Sequence, residues 1–226
     1  MQCVILAAGA GTRMRHLTQN TPKPLVQVCG KSILDHIVEA LPAEITEIIL
    51  VTSYLEKQIQ EYCGASFHNR SVKYVSQQNP KGGTGDALMC TKELVSGKFL
   101  FMYADDIHGA AALEKVVRED HAMLAMHSNT PEQFGVLTLH NDGTLKEITE
   151  KPVVPKSNLV NIGGFVLNTD IFACEVDASE TGEVYVTDML TTYAKKYPVK
   201  VIEQDLWIPI GSPEQVVAAE AQMCPK

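Results

Sequence analysis

The sequence lacks the features that mark several large classes of protein. Its six cysteines are scattered without a CxxC pair, which argues against a zinc site or a disulfide framework. No apolar run approaches the roughly 20 residues that span a bilayer, and the first residues lack the pattern of a signal peptide. Positive charge is not in excess either. A net charge of −8 argues against a general nucleic-acid or anionic-membrane binder. We therefore expect a soluble, cytoplasmic protein with reduced cysteines.

What is present is an alternation of strand-like and helix-like segments. The 226 residues, of which 45% are hydrophobic, suffice for one large domain. Short apolar runs at 3–6, 47–52, 72–76 and 99–103 alternate with helical patterns at 31–41, 54–63 and 84–95. This predicts an α/β fold, a Rossmann-like three-layer arrangement with a mainly parallel sheet between helices.

The second half has a different pattern. Residues 134–150 predict a β-hairpin with its tip at Asn141-Asp142-Gly143. A strand at 160–167, a helix at 186–196, two short strands and a closing helix that begins at Ser212 follow. We expect one compact unit in which the strands of 134–167 form a substrate-side subdomain.

A glycine-containing loop follows the first strand. Small residues there allow backbone N–H groups to approach phosphates closely, and the Arg13 guanidinium adds charge. The dinucleotide fingerprint requires a third glycine where Met14 stands, and a P-loop requires a lysine that the loop lacks. At this point, a glycine turn that only joins a strand to a helix and binds no ligand is an alternative interpretation. The loop residues that would contact a nucleotide are Leu6, Ala7, Ala8, Gly9, Gly11 and Thr12.

The loop continues into a longer pattern, LAAGxGTRMxxLTxxxPKPLxxVxGK. This pattern resembles the signature of the sugar-phosphate nucleotidylyltransferases, and matching elements run from residue 2 to about residue 215. The resemblance implies the fold of the nucleotide-diphospho-sugar transferases. It also implies a single domain, 1–226, with a nucleotide-binding half at 1–110 and a sugar-binding half at 111–226. Arg13 and Lys23 would clamp a triphosphate. The prolines on both sides of Lys23 hold its backbone extended, so its ammonium group has little freedom of direction.

Two further segments complete the nucleotide side. In the family, a glutamine five residues before Gly-Thr-Gly contacts the base of UTP or dTTP, which implies roles for Gln78, Gly83 and Thr84. Ala104-Asp105-Asp106 ends a buried strand, where the family places a metal-binding aspartate. Carboxylate oxygens suit Mg²⁺, so Asp105 is the expected ligand and Asp106 has a lesser role.

The sugar side rests on residues whose order and spacing resemble the family. Glu150, Asn161 and the Gly135 backbone would bind sugar hydroxyls, and Lys151 would hold the sugar phosphate. Glu183, in the segment 182–188, belongs to the same expected set.

One position departs from the family pattern. Pro209 stands where an aspartate usually gives the second metal contact, in a segment that otherwise resembles WxDxGxP. Either Asp105, phosphates and water hold the metal alone, or Asp188 or Asp205 substitutes, or activity is weak.

The resemblance implies an Mg²⁺-dependent enzyme that converts a sugar 1-phosphate and an NTP into an NDP-sugar and pyrophosphate. Ala8 favours UTP, because thymidylyl and guanylyl relatives more often have glycine there, and dTTP stays open. A choline-phosphate cytidylyltransferase and a non-catalytic nucleotide-sugar sensor are the alternatives. The chain length predicts that the β-helical acyltransferase domain of some relatives is absent. The sugar is not predicted, and a homo-oligomer is compatible with the sequence.

Overall fold

A computed structural model describes residues 1–204 and 206–224. The strands are β1 (Gln2–Leu6), β2 (Gln27–Val28), β3 (Lys31–Ser32), β4 (Glu47–Thr52), β5 (Ser66–Phe67), β6 (Arg70–Ser76), β7 (Lys98–Tyr103), β8 (Asp106–His108), β9 (Ala122–His127), β10 (Gly135–Leu139), β11 (Leu145–Glu150), β12 (Leu159–Asn168), β13 (Lys200–Glu203) and β14 (Trp207–Pro209). The helices are α1 (Ile33–Ala40), α2 (Glu56–Cys63), α3 (Gly83–Met89), α4 (Ala110–Val116), α5 (Val186–Ala194) and α6 (Pro213–Met223). Short 3₁₀ turns occupy Thr12–Thr18, Lys23–Leu25, Pro131–Gln133 and Thr169–Ala173.

One sheet of ten strands runs through the molecule. Its parallel centre has the order β7-β1-β4-β6, and β12 joins β7 in the antiparallel direction. The β10–β11 hairpin and β9 pair with β12, and β13 pairs with β9. The predicted α/β class with a parallel core is confirmed. The β10–β11 hairpin joins the main sheet through β12, which pairs with β10 on one side and with β7 on the other.

Apolar layers cover both faces of the sheet. Alternate residues of β1 face opposite ways, so that Cys3 and Ile5 pack in one layer and Val4 in the other. Helices α1, α2, α4 and α6 contribute to the first layer, and α3 and α5 to the second. The arrangement is the three-layer one that the alternating pattern predicts.

A polar cluster fixes the start of α1. Ser32 and Asp35 form a reciprocal capping box. The Asp35 carboxylate also accepts the Tyr62 hydroxyl at 2.6 Å and contacts His68 Nε2 at 2.8 Å. Burial raises the pKa of Asp35, but the hydrogen bonds from these three side chains outweigh it and lower the pKa to about 2.

Several element predictions need correction. Helix α3 ends at Met89 instead of continuing to residue 95, because tight turns over residues 88–95 replace the helical ladder. The short β8, α4 and β9 occupy residues for which we predicted no element. Their shortness, at three to seven residues, explains the weak pattern.

The expectation of uniformly reduced cysteines is wrong for one pair. Cys29 and Cys224 form a disulfide, with Cα atoms 6.0 Å apart and 195 residues between them in sequence. The bond ties the end of α6 to the β2–β3 turn. Cys3, Cys63, Cys90 and Cys174 are free thiols.

Among the helices of residues 1–204 and 206–224, none has the length and apolar character needed to cross a membrane.

Candidate active site

The site lies at the carboxyl ends of two parallel neighbours, β1 and β7. Leu6 pairs with Tyr103 in the last register position of both strands. The Ala104 N–H then donates to the Leu6 carbonyl at 3.1 Å. The glycine loop after β1 and the acidic turn after β7 therefore start side by side, at the edge where open α/β sheets bind ligands.

Lys23 joins these two segments. Its Nζ donates to Asp105 Oδ2 at 2.6 Å, and its side chain is 10% exposed against 38% for Asp105. The lysine stem packs on Gly11, where an added Cβ would lie 3.0 Å from the Lys23 Cβ. Gly11 also has a φ of +62°, which favours glycine. The glycine loop thus provides the wall against which the Lys23 ammonium is held.

Two adjoining cavities open at this edge. The glycine-loop cavity, about 260 Å³, and the hairpin cavity, about 380 Å³, share four wall residues. These shared residues are Thr84, Tyr103, Asp105 and Tyr185. Two ligands seated in the two cavities would therefore meet beside Asp105.

Most of the residues predicted to contact a nucleotide line the glycine-loop cavity. They are Leu6, Ala7, Ala8, Gly9, Lys23, Gly83 and Thr84. Gly11 and Thr12 do not line it, since Gly11 packs on Lys23 and Thr12 is exposed. Gly83 faces the 183–185 segment so closely that an added Cβ would lie 2.5 Å from the Val184 carbonyl oxygen. That contact closes the far wall of the cavity.

Gln77, not Gln78, reaches this cavity. The Gln77 N–H extends the ladder between β4 and β6 by donating to the Thr52 carbonyl at 2.8 Å. Its side chain is buried, lines the cavity and donates to Gly83 O and Asp86 Oδ2. Gln78 is exposed and donates to the Ser76 carbonyl at 3.3 Å. The alternation of strand side chains thus turns the predicted residue away and its neighbour inward.

Four of the five predicted sugar-side residues line the hairpin cavity: Gly135, Glu150, Lys151 and Asn161. Gly135 pairs with Glu150 across the β10–β11 hairpin, and an added Cβ at Gly135 would lie 3.0 Å from Glu150 Oε2. The Asn161 Oδ1 accepts the Gly163 N–H at 3.0 Å, which fixes its amide. The Glu150 carboxylate, the Asn161 amide and the Gly135 backbone therefore all line the hairpin cavity.

The other two predicted side chains are placed differently. Glu183 lines the glycine-loop cavity, where the Tyr185 hydroxyl donates to it at 2.7 Å. Arg13 is exposed and lines the hairpin cavity, with its guanidinium next to Gly211. Arg13 and Lys23 thus stand on different cavities, with Asp105 in the wall between them.

Acidic side chains are concentrated at the junction of the cavities. Burial raises the pKa of Tyr103 well above its ordinary value, and Glu150, Asp106 and Asp105 add to that effect. Burial and then repulsion by Asp105 likewise raise the pKa of Asp106. Burial also raises the pKa of Glu150. Such a site attracts cations, which Lys23 supplies in part.

The donor set near Asp105 fits a hard cation that phosphates help to hold. Asp106 lines the hairpin cavity beside Asp105. In the described ranges 1–204 and 206–224, no group of three or more His, Cys, Asp or Glu side chains could hold a metal. Asp188 does not line either cavity, and Asp205 lies outside the described residues. Two carboxylates plus phosphates suit Mg²⁺, which keeps several waters and needs few protein ligands.

Comparison with known proteins places this geometry in a family. The family model described as "Nucleotidyl transferase" matches residues 2–225. The chain belongs to the nucleotidyl transferase family. The bifunctional protein GlmU of Methanocaldococcus jannaschii is 33% identical over 100% of this chain and 55% of its own length. The UTP–glucose-1-phosphate uridylyltransferase AglF of Haloferax volcanii is 31% identical over 99% of this chain and 96% of its own.

The fold agrees with a solved structure of the same type. A UDP-glucose pyrophosphorylase in complex with UDP-glucose superposes with a TM-score of 0.86 at 23% identity, covering 98% of this chain and 97% of the other. The chain spans about half the length of the first curated relatives it matches.

Sequence reasoning missed several residues that line the two cavities. Thr187 is buried and Trp207 half-buried, and both line the hairpin cavity. Within the described residues, Thr187 Oγ1 has no hydrogen-bond partner, and the Trp207 indole N–H lies near the Asp106 carboxylate, where it offsets part of the pKa rise caused by burial. Buried polar groups normally find partners, so the Thr187 hydroxyl is available to a ligand. Tyr103 and Tyr185 complete the shared wall, and the position of Tyr103 directly before Ala104-Asp105 is a signal that could have identified it.

Proposed function

We propose that this protein transfers a uridylyl group from UTP to a sugar 1-phosphate with the help of Mg²⁺, releasing pyrophosphate. The observation that carries the proposal is the pair of cavities that meet at Asp105, with Lys23 in the wall of the glycine-loop cavity and Arg13 in the wall of the hairpin cavity. A transfer between two phosphate groups needs this arrangement, because both must be aligned and their charges neutralised.

The glycine-loop cavity is the proposed nucleotide site. Ala7, Ala8 and Gly9 present a wall of small residues that a triphosphate can approach. Gln77 takes the base-contacting role that the sequence assigned to Gln78. Its amide nitrogen is engaged by two protein acceptors, so its amide oxygen is the group left to accept the N3–H of a pyrimidine.

The preference for UTP rests on Ala8 and on the similarity to the Haloferax volcanii UTP–glucose-1-phosphate uridylyltransferase AglF. Uracil and thymine present the same N3–H group to a glutamine, so Gln77 does not separate UTP from dTTP. A direct comparison of the two nucleotides decides between them.

The hairpin cavity is the proposed acceptor site. The Glu150 carboxylate and the Asn161 amide bind sugar hydroxyls, and the Gly135 backbone allows the ring a close approach. Lys151, whose side chain is 67% exposed, holds the acceptor phosphate together with Arg13. Glu183 lines the other cavity, so its assignment to the sugar stays a prediction.

Asp105 is the proposed first ligand of the metal. When bound, Mg²⁺ neutralises charge on the transferred phosphate. The chain itself positions the reactants: Lys23 sets the Asp105 carboxylate, and Arg13 draws the acceptor phosphate toward the shared wall. The acceptor phosphate is already an anionic nucleophile, so the reaction needs no general base. The division at residue 110, the cytoplasmic location and the oligomeric state stay predictions.

A grid of nucleotides and phosphorylated acceptors tests the proposal. Pyrophosphate release is measured for UTP, dTTP and CTP with glucose 1-phosphate, N-acetylglucosamine 1-phosphate and phosphocholine, each with and without Mg²⁺. We expect turnover that requires Mg²⁺ and is fastest with UTP and a sugar 1-phosphate. Turnover only with CTP and phosphocholine would support the cytidylyltransferase instead. Saturable nucleotide binding with no turnover in any pair would show a sensor without catalytic activity.

A further inference from the structure

The metal site of the proposed Mg²⁺-dependent transfer, on which this inference rests, needs a carboxylate donor besides Asp105. Asp105 is shared with Lys23, whose Nζ lies 2.6 Å from Oδ2, so one of its two oxygens is already engaged. The WxDxGxP pattern that the segment 207–213 resembles has an aspartate at the position of Pro209. Proline offers no side-chain oxygen, and the metal therefore needs another donor at this place.

The strand register shows which residue stands there. Pro209 and Asp106 are direct partners in the antiparallel β8–β14 pair. Side chains of directly opposite residues emerge on the same face of a sheet, with Cβ atoms about 4.5–5.5 Å apart. Both residues line the hairpin cavity. A carboxylate at position 209 and the carboxylate of Asp106 would therefore enter the same space from opposite strands.

Asp106 also lies on the correct side of the shared wall. It directly follows Asp105 in the sequence, and both residues line the hairpin cavity. Successive residues of a strand would point to opposite faces, but Asp105 belongs to a turn and not to β8. Asp106 Oδ2 lies next to Gly163 of β12, since an added Cβ there would be in ordinary contact with it at 3.5 Å.

A second observation shows that the cavity is built for a polar ligand. Thr187 is 5% exposed and lines the same cavity, and in the described part of the chain its Oγ1 has no partner. The unpartnered hydroxyl is independent of the two carboxylates, since it lies on α5.

We propose that Asp106 supplies the second carboxylate ligand of the metal, in place of the aspartate that Pro209 displaces. The ligand has moved from β14 to the partner strand β8 and still enters the same cavity. Asp105 and Asp106 would then hold the metal together with the nucleotide phosphates and water.

Binding of Mn²⁺ tests this assignment without any reaction. The probe is Mn²⁺ with a saturating UTP analogue whose α,β-bridging oxygen is replaced by methylene, and the readout is enhancement of water-proton relaxation by protein-bound Mn²⁺. Quenching of Trp207, the one tryptophan in the sequence, gives a second readout within the hairpin cavity. The variants are Asp106→Asn, Pro209→Asp and the double variant, and the matched control is Asp177→Asn at an exposed position.

We expect Asp106→Asn to bind Mn²⁺ about tenfold or more weakly, since loss of a group that tunes a metal site costs about 10–100-fold. Adding Pro209→Asp to this variant should restore the affinity, and Asp177→Asn should match the wild type. Circular dichroism and thermal melting check that each variant is folded.

Two results would overturn the assignment. One is wild-type Mn²⁺ affinity in Asp106→Asn. The other is a folded double variant that binds as weakly as Asp106→Asn, because position 209 would then not open onto the same metal. Formation of an NDP-sugar by the wild-type protein with Mg²⁺ is measured in parallel. If either overturning result is found while the wild-type protein forms an NDP-sugar, only the assignment of Asp106 is rejected. If the wild-type protein forms no NDP-sugar, the proposed function fails as well.

Discussion

Replacing Lys23 by alanine perturbs the site where its two segments meet. The side chain is 10% exposed and holds Asp105 Oδ2 at 2.6 Å, beside a second carboxylate at Asp106. Removing one partner of a buried ion pair costs about 3–5 kcal/mol. Asp105 is 38% exposed, so water solvates part of the freed charge. We therefore expect a loss of about 1–3 kcal/mol in the free energy of unfolding.

The effect on turnover is separate from the effect on stability. In the proposed transfer, Lys23 neutralises charge beside the reacting phosphates, and a loss of about 1.4 kcal/mol or more of barrier stabilisation means at least a tenfold lower turnover. If the ammonium acts mainly in the transition state, kcat falls with little change in KM. If it binds the triphosphate equally in both states, the KM for the nucleotide rises instead.

Steady-state pyrophosphate release and urea denaturation measure the two effects on the same preparation. Lys57→Ala, an exposed lysine on α2, is the matched control and should change neither quantity. A folded Lys23→Ala protein with unchanged kcat and KM would refute the reasoning, because Lys23 would then be a structural partner of Asp105 with no part in the transfer.

Three further changes test other parts of the structure. Gly11→Ala places a Cβ 3.0 Å from the Lys23 Cβ at a φ of +62°, and should cost about 1–2 kcal/mol in urea denaturation and weaken nucleotide binding; an unchanged protein would contradict the packing. Cys224→Ser should lose about 2–4 kcal/mol under oxidising conditions, and a dithiol reductant should abolish its difference from the wild type. A difference that persists would argue against the Cys29 bond. Asp35→Asn tests a carboxyl whose pKa is lowered to about 2. A lowered pKa stabilises the fold above pH 4, so the deficit of the variant, about 2 kcal/mol, should shrink as the pH falls from 4 toward 2. A deficit that is constant with pH would show that the ionised carboxylate does not stabilise the fold.

Local sequence patterns identify those parts of the site that lie directly after a strand or in a restricted turn. The glycine loop and Asp105 directly follow β1 and β7, and Lys23 lies in a restricted Pro-Lys-Pro turn, so local patterns identify all three. The choice between Gln77 and Gln78 depends on whether β6 pairing continues past Ser76, which a spacing between motifs does not encode.

Other features depend on contacts between distant segments. The Cys29–Cys224 bond joins residues 195 positions apart, and it forms because α6 packs near the β2–β3 turn. Glu183 reaches the nucleotide side because the neighbouring Val184 exchanges backbone hydrogen bonds with Gly82 and Gly85. Neither pairing leaves a local signal in composition or periodicity.

Transfer of a labelled α-phosphate tests the central claim most directly. The protein is incubated with Mg²⁺, a sugar 1-phosphate and UTP labelled at the α-phosphorus, and the products are separated. If the sugar phosphate attacks the α-phosphorus of UTP where the two cavities meet, the label passes entirely into the UDP-sugar, and unlabelled pyrophosphate forms in equal amount. Label that stays in UTP with every sugar 1-phosphate, or that is released as UMP whether or not a sugar phosphate is present, would contradict the account.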